Sequence, residues 1–247
     1  MREIEIIEGL FLSSNYCVWY RPKDVVIVTD FHLGYESAMH DEGISLPEIQ
    51  KEKILDNISD IKNRYQPETM IVLGDFKHDF GRSKDRVFSE ILDVMDYMLE
   101  DSTLIMIKGN HDNYLKNYTR LKEVTLHEVK MKLDHMTLSH GHEEIEWEDL
   151  LMIGHEHPAI VIKDEVGSSM KFPCFLYDEE EKVLILPSID PMRSGRDIIT
   201  SSSFFSKSIA SLEPANFHVY AISEDGLLDF HKVRDIRRAQ PVFDRTR

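Results

Sequence analysis

"IVLGDFKHDF", residues 71–80, runs three apolar residues into a glycine and then sets Asp75, Lys77, His78 and Asp79 within five positions. The apolar part is too short for a helix and rich in β-branched residues, so it reads as a buried strand. The same pattern recurs along the chain. "VVIV" (25–28) runs into Thr29, Asp30, Phe31 and His32, and "LIMI" (104–107) into Lys108, Gly109, Asn110, His111 and Asp112. "MTL" (136–138) ends at Ser139, His140, Gly141 and His142, and "LLMI" (150–153) at Gly154, His155, Glu156 and His157. Ligands bind outside the carboxyl ends of strands in α/β sheets, so these five tips are expected to meet in space.

Between the first strands lie helical patterns. Residues 46–65 carry Ile49, Lys53, Ile54 or Leu55, Ile58 and Ile61 at helical spacing behind Pro47, and residues 83–100 carry Val87, Ile91, Val94 or Met95 and Met98 on one face. Strands at 24–30, 69–75 and 103–110 around these helices predict a parallel sheet covered by helices on both faces. The second half is different. "TLHEVKMKLDHMTLSHGH", "KFPCFLYD", "KVLILPSI" and "NFHVYAI" are short strands between turns, which predicts a second sheet, antiparallel or mixed. The expected architecture is α/β: a four-layer α-β-β-α sandwich of two mixed sheets flanked by helices, formed by residues 1–247 as a single domain. Two long connections, 34–47 and the serine-rich 193–214, are long enough to be read as functional loops.

Composition narrows the function. The chain has 247 residues, 42% apolar and 30% charged, as in ordinary globular proteins. Lys and Arg number 29 against 45 Asp and Glu, a net charge of −16, which argues against a broad basic surface for coating nucleic acid. It leaves nucleic acid open as a substrate, because divalent cations supply local positive charge. Cys17 and Cys174 are isolated, giving neither a disulfide framework nor a thiolate zinc cluster. "MREIEIIEGL" has no uninterrupted apolar run, and no segment approaches the ~20 apolar residues of a membrane span. A cytoplasmic protein with no membrane partner is expected.

Asp30, His32, Asp75, Asn110, His140, His155 and His157 offer imidazole nitrogen with carboxylate or amide oxygen, and no sulfur. That donor set suits Mn, Fe, Zn or similar divalent ions better than calcium. Seven ligands exceed what one ion uses while leaving room for water; they suit two ions sharing a carboxylate, as in two-metal hydrolases. A lone Asp-x-His or Gly-Asp at a strand end is commonly only a turn. Gly-Asn-His-Asp and Gly-His-Glu-His are harder to explain as turns, and the ordered set of five harder still. The acidic runs at 143–144 and 178–181 read as solvated turns, and His40, His127, His135, His218 and His231 as structural or exposed.

These residues resemble the calcineurin-like metallophosphoesterases, whose pattern D-x-H, G-D, G-N-H-[DE], H and G-H-x-H stands here as Asp30/His32, Gly74-Asp75, Gly109-Asn110-His111-Asp112, His140 and Gly154-His155/His157. "HLGYE", "GISLP" and "GDFKHDF" further resemble the ICC-like predicted phosphoesterases, a branch related to DNA-repair-associated enzymes. The resemblance implies a binuclear centre with Mn²⁺ as first choice and Fe, Zn or Ni as alternatives. Asp30, His32, Asp75 and His157 would hold one ion and Asp75, Asn110, His140 and His155 the other. His111 would contact the phosphate or protonate the leaving oxygen, with Asp112 orienting its ring. Lys77, His78 and His142 are expected to touch substrate or to support the ligands from behind, and Gly34 and Gly141 to let backbone approach the site. The implied activity is hydrolysis of a phosphodiester, or of a phosphomonoester. Alternatives are a DNA or RNA nuclease acting in repair with a partner protein, and a metal-binding scaffold without catalysis.

Overall fold

The computed structural model describes residues 1–163, 168–190, 192–193 and 195–239. Ser194, within the serine-rich connection, lies outside the described residues. In chain order, the first sheet is built from β1 (Glu3–Ile7), β2 (Leu10–Ser13), β3 (Cys17–Tyr20) and β4 (Val25–Val28). Helices α1 (Tyr35–Asp41) and α2 (Gln50–Tyr65) lead to β5 (Thr69–Leu73), and α3 (Asp85–Leu99) leads to β6 (Thr103–Ile107). α4 (Leu115–Leu121) precedes β7 (Thr125–His127). The second sheet takes β8 (Lys130–Leu133), β9 (Met136–Ser139), β10 (Leu150–Ile153), β11 (Pro158–Lys163), β12 (Ser169–Asp178), β13 (Val183–Ile185) and β14 (Arg196–Asp197). β15 (His218–Ser223), β16 (Gly226–Lys232) and α5 (Val233–Ala239) complete the described chain.

The first sheet runs β1 to β7 in sequence order, antiparallel through β4 and parallel from β4 to β7. The second runs β14-β11-β12-β13-β10-β9-β8, with β15 on β12 and β16 on β15. Its parallel core is β9-β10-β13. Both sheets are mixed, as expected.

The strands carry apolar residues on both faces because both faces are covered. Val26, Val28, Met70, Val72, Leu104 and Met106 pack against Ile54, Ile58 and Ile61 of α2 and Val87, Ile91, Val94 and Met98 of α3. One position along, Val25, Ile27, Ile71, Leu73 and Ile107 face Leu138, Met152, Phe175 and Leu184 of the second sheet. This period-two split corrects the expectation of helices on both faces of the first sheet: one face takes α2 and α3, and the other takes a sheet. The outer face of the second sheet, including Ile153, Ile160 and Ile185, is covered by Ile198, Phe204, Ile209, Phe217 and the α5 residues Val233 and Ile236.

α2 starts at Gln50, four residues later than the pattern suggested. Glu36 of α1 explains the position: its Oε1 accepts hydrogen bonds from the Ile49 and Gln50 backbone N–H groups, each at 2.7 Å. These are first-turn donors with no partner inside the helix, and a carboxylate there also meets the positive end of the helix dipole. α1 itself lies inside the 34–47 connection, where a loop is expected. The acidic turn at 178–181 is only partly solvated: Asp178 is buried and accepts from the Glu180 and Glu181 N–H groups.

Candidate metal centre

The ends of β4, β5 and β6 converge with the ends of β9 and β10. Backbone bonds lace the loops together: Asp30 N–H donates to Gly74 O, His32 N–H to Asp75 O, and Gly154 N–H to His140 O. Five of the seven expected ligands stand in the left-handed backbone region, with φ of 57° at Asp30, 46° at His32, 48° at Asp75, 66° at His155 and 43° at His157. Non-glycine residues seldom adopt this conformation, and it costs about 1–3 kcal/mol each. Such a concentration marks a place where side-chain direction outweighs backbone comfort.

Two glycines allow the loops to close. A Cβ on Gly109 would stand 2.1 Å from Asp75 Oδ1, and one on Gly154 would stand 2.0 Å from Thr29 Oγ1 and 2.7 Å from Asp30 Oδ2. Gly34 and Gly141, expected to serve this purpose, instead abut Val87 and Ile153.

The donor atoms fall into two sets. Asp30, His32 and His157 place one ligand atom each within 4.8 Å of one another, and so do Asp75, His140 and His155. His157 Nε2 lies 3.3 Å from Asp30 Oδ1 and 3.1 Å from His32 Nε2. Asp75 Oδ2 faces both sets, 3.8 Å from His32 Nε2 and 3.4 Å from His140 Nε2. Asn110 Oδ1 joins the second set, 3.1 Å from His140 Nε2.

Asp30 Oδ1 and His32 Nδ1 are buried without a hydrogen-bond partner among the described residues. A buried carboxylate oxygen left in that state is costly, and a cation relieves the cost. Together with the N/O donor chemistry, this makes the residues a good fit to divalent ions. Burial opposes ionisation of Asp30 and Asp75, yet the imidazoles of His157 and His140 outweigh it and hold both carboxyls below their usual range. Burial also opposes charge on His140, but Asp75 and Asp30 raise its pKa to about 9. Burial and the neighbouring His140 bring His155 down to about 4, so it presents a free lone pair.

His111 opens onto the same cleft. Its backbone N–H donates to Asp75 Oδ1 (2.8 Å) and its ring Nδ1 meets His78 O (2.5 Å). Asp112 does not orient that ring. It is buried and accepts three backbone N–H bonds, from Phe76 and Lys77 to Oδ1 and from Gly109 to Oδ2. It therefore clamps the β5 loop to the β6 loop, and the His111 ring is oriented by a main-chain carbonyl instead.

Lys77 is also placed differently from expectation. It is buried, and its ammonium donates to the carbonyls of Asp79 and Gly81. Three donors on a flexible stem suit an ammonium to folding a short loop over itself, away from any phosphate role. His78 packs edge-on to His32 and Tyr35 and stacks on His111, and its Nδ1 is buried without a hydrogen-bond partner among the described residues. His142 lies behind His140, ring centroids 5.2 Å apart, with its Nε2 3.6 Å from Glu143.

A cleft of about 370 Å³ runs over His32, Asp75, Asn110, His111, His155 and His157, and its other wall comes from Met192 and, in the second long connection, Arg193, Arg196 and Phe205. Glu156, between the two histidine ligands, pins that wall. It is buried, its Oε1 accepts from Phe205 N (2.7 Å) and Ser206 N (2.6 Å), and its Oε2 lies 3.4 Å from Arg196. Asp190 holds the preceding turn, accepting from Gln50 Nε2 and Met192 N, while Gln50 Nε2 also donates to His32 O. Sequence reasoning passed over Glu156, Asp190, Gln50, Arg193 and Arg196. The available signals were an acid between two histidines and the "SSSFFS" run, where an apolar pair interrupts serines.

A family model described as calcineurin-like phosphoesterase matches residues 23–164. No curated protein matches the chain significantly. Among solved structures, Pseudomonas putida nuclease MPE is similar with a TM-score of 0.69 at 19% identity, covering 92% of this chain and 98% of that one. Yfce, a phosphoesterase from E. coli, aligns at TM-score 0.39 and 13% identity over 83% of this chain and 96% of its own. At these identities the first likeness is one of fold.

Proposed function

The chain belongs to the calcineurin-like phosphoesterase family, and on that premise we propose that it is a binuclear metal-dependent hydrolase of phosphodiesters. Asp30, His32, Asp75 and His157 would hold one divalent ion, and Asp75, Asn110, His140 and His155 the other. Bound there, Mn²⁺ (or Fe, Zn or Ni) supplies Lewis acidity to the phosphoryl oxygens and to water. The observation that carries the reading is Asp75 Oδ2, which faces a histidine of each donor set at 3.8 and 3.4 Å.

The chain's own groups do the rest. The left-handed turns aim the ligands, and the Asp112 clamp keeps β5 and β6 loops in register. Arg193 and Arg196 bring positive charge to the cleft of an otherwise acidic protein. As the water oxygen bonds to phosphorus and the ester P–O bond breaks, His111 Nε2 gives its proton to the leaving oxygen. His78 stacks on the His111 ring and packs edge-on to His32, so it would steady both from the side.

Nuclease activity is the second reading, and two exposed aromatics favour it. Phe80, 55% exposed, stacks on His111 with centroids 4.1 Å apart, and Phe205, 63% exposed, lies under the Arg196 guanidinium at 4.0 Å. Bases flanking a scissile phosphate stack on such rings.

The test is hydrolysis of bis-p-nitrophenyl phosphate with added Mn²⁺, followed by phosphomonoester, cyclic nucleotide, dinucleotide and single- and double-stranded DNA and RNA. Turnover of the diester above the monoester supports the proposal. Inactivity with every divalent metal would favour a non-catalytic scaffold.

A further inference from the structure

We propose that His218, Asp229 and His231 form a cation-binding site of their own, for a borderline divalent ion of the zinc type. The site shares no residue with the cleft. It sits on the β15–β16 hairpin, where the pairing skips a residue between His218 and Tyr220. The irregularity sets residues 230 and 231 of β16 against Val219 of β15, and the left-handed backbone of His231 lets its ring turn back towards Asp229, while His218 reaches both from the neighbouring strand. One ligand atom from each lies within 4.8 Å of the others.

All three converge on one oxygen. Asp229 Oδ1 is 2.5 Å from His218 Nε2 and 3.8 Å from His231 Nδ1, and it also accepts the His231 backbone N–H at 2.9 Å. An ordinary ion pair explains His218 with Asp229. It does not explain His231, whose backbone is held at φ 58° with its ring nitrogen turned towards an acid already paired. Tyr220 stacks on the His218 ring with centroids 4.5 Å apart and planes 15° from parallel, limiting the ring's rotation. Partial burial pushes the Asp229 carboxyl up, but the His231 backbone N–H and the two imidazoles outweigh it and hold it below its usual range.

Two imidazoles and one carboxylate make a nitrogen-rich set, which selects zinc, copper or nickel over magnesium and calcium. With metal–ligand bonds of about 2.0–2.2 Å, ligand atoms stand roughly 3–3.5 Å apart. The His218 contact must open slightly and the His231 contact close, both within side-chain rotation. The remaining positions face solvent and would take water. An ion there would join the first residue of β15 to the end of β16, which runs directly into α5, the helix that covers the outer core. Binding to the folded state alone would then stabilise this hairpin by mass action.

The experiment counts zinc on the intact protein by native mass spectrometry and by equilibrium dialysis. It compares wild type with His231→Asn and Asp229→Asn, and follows thermal unfolding with and without zinc. Because the His231 side chain is 78% exposed and that of Asp229 46%, with Asn close in shape to each, both variants should fold as wild type does. The expected result is one zinc fewer per chain in each variant, a smaller zinc-induced rise in unfolding temperature, and unchanged Mn²⁺-dependent diester hydrolysis. Equal zinc counts in wild type and either variant would overturn the site. The count is independent of turnover, so the inference stands or falls separately from the proposed activity.

Discussion

The main-chain carbonyl of His78 lies 2.5 Å from Nδ1 of His111, and it decides which nitrogen of that ring serves the cleft. A carbonyl only accepts, so Nδ1 carries one proton, and Nε2, 3.9 Å from Asp75 Oδ2, is the nitrogen that holds the second, transferable proton when the ring acts as the acid. Replacing His111 with Gln removes the proton donor and leaves every metal ligand in place. The expected loss is about 10²–10⁴-fold in kcat, with metal stoichiometry unchanged. Single-turnover rates and metal counts on the same preparation check both halves.

Gly109→Ala should act on the metal centre without replacing a ligand. The added Cβ would meet Asp75 Oδ1 at 2.1 Å and the Asp75 backbone nitrogen at 2.3 Å, so Asp75 must move. Displaced supports of metal ligands typically lower affinity about 10–100-fold. Isothermal titration with Mn²⁺ should show that weakening; wild-type affinity would contradict the close approach.

Glu156→Ala removes the acceptor for two backbone donors, one buried (Ser206) and one partly buried (Phe205), and the partner of Arg196. A loss of about 1–3 kcal/mol in stability is expected from the unsatisfied groups. Because the 196–206 wall loosens, KM should rise by more than kcat falls. Glu156→Gln, which keeps one acceptor oxygen, should recover most of KM. Steady-state kinetics of the three proteins on one diester separates these outcomes.

The two cysteines offer a check on the cores. Cys17 and Cys174 are fully buried in different apolar clusters, and burial pushes the Cys17 thiol up to about 12 and that of Cys174 well above its usual value. A raised pKa lowers the thiolate fraction at pH 8, and the thiolate is the reactive form. Ellman's reagent should therefore label neither thiol in the native protein and both after denaturation. Rapid native labelling would mean that one of these clusters opens.

The sequence made the site legible because its ligands sit at strand ends, where an apolar run abruptly meets Asp, Asn and His. "VVIV", "IVL", "LIMI", "MTL" and "LLMI" all form strands, and their tips do meet. The supports were less visible. Asp112 looked like a partner for its neighbour His111 because adjacency is all a sequence displays, yet its oxygens turn to the backbone of residues 76, 77 and 109. Lys77 beside a metal motif suggested phosphate, whereas a loop carbonyl two residues on is its partner. The sandwich of two sheets was legible from the change of pattern in the second half, but which residues face it was not: Val25 and Ile27 are equally apolar whether they meet a helix or a second sheet. The β1–β3 meander was passed over because its edge strand alternates Glu3, Ile4, Glu5 and Ile6 with little buried surface.

The central claim is that Asp75 belongs to two metal positions at once. The most direct measurement is the number of Mn²⁺ ions bound per chain, by equilibrium dialysis with elemental analysis, in wild type and in Asp75→Ala. Two ions in wild type, with both lost together in the variant along with diester hydrolysis, is the predicted result. Two ions retained in Asp75→Ala would contradict the shared carboxylate and with it the binuclear account.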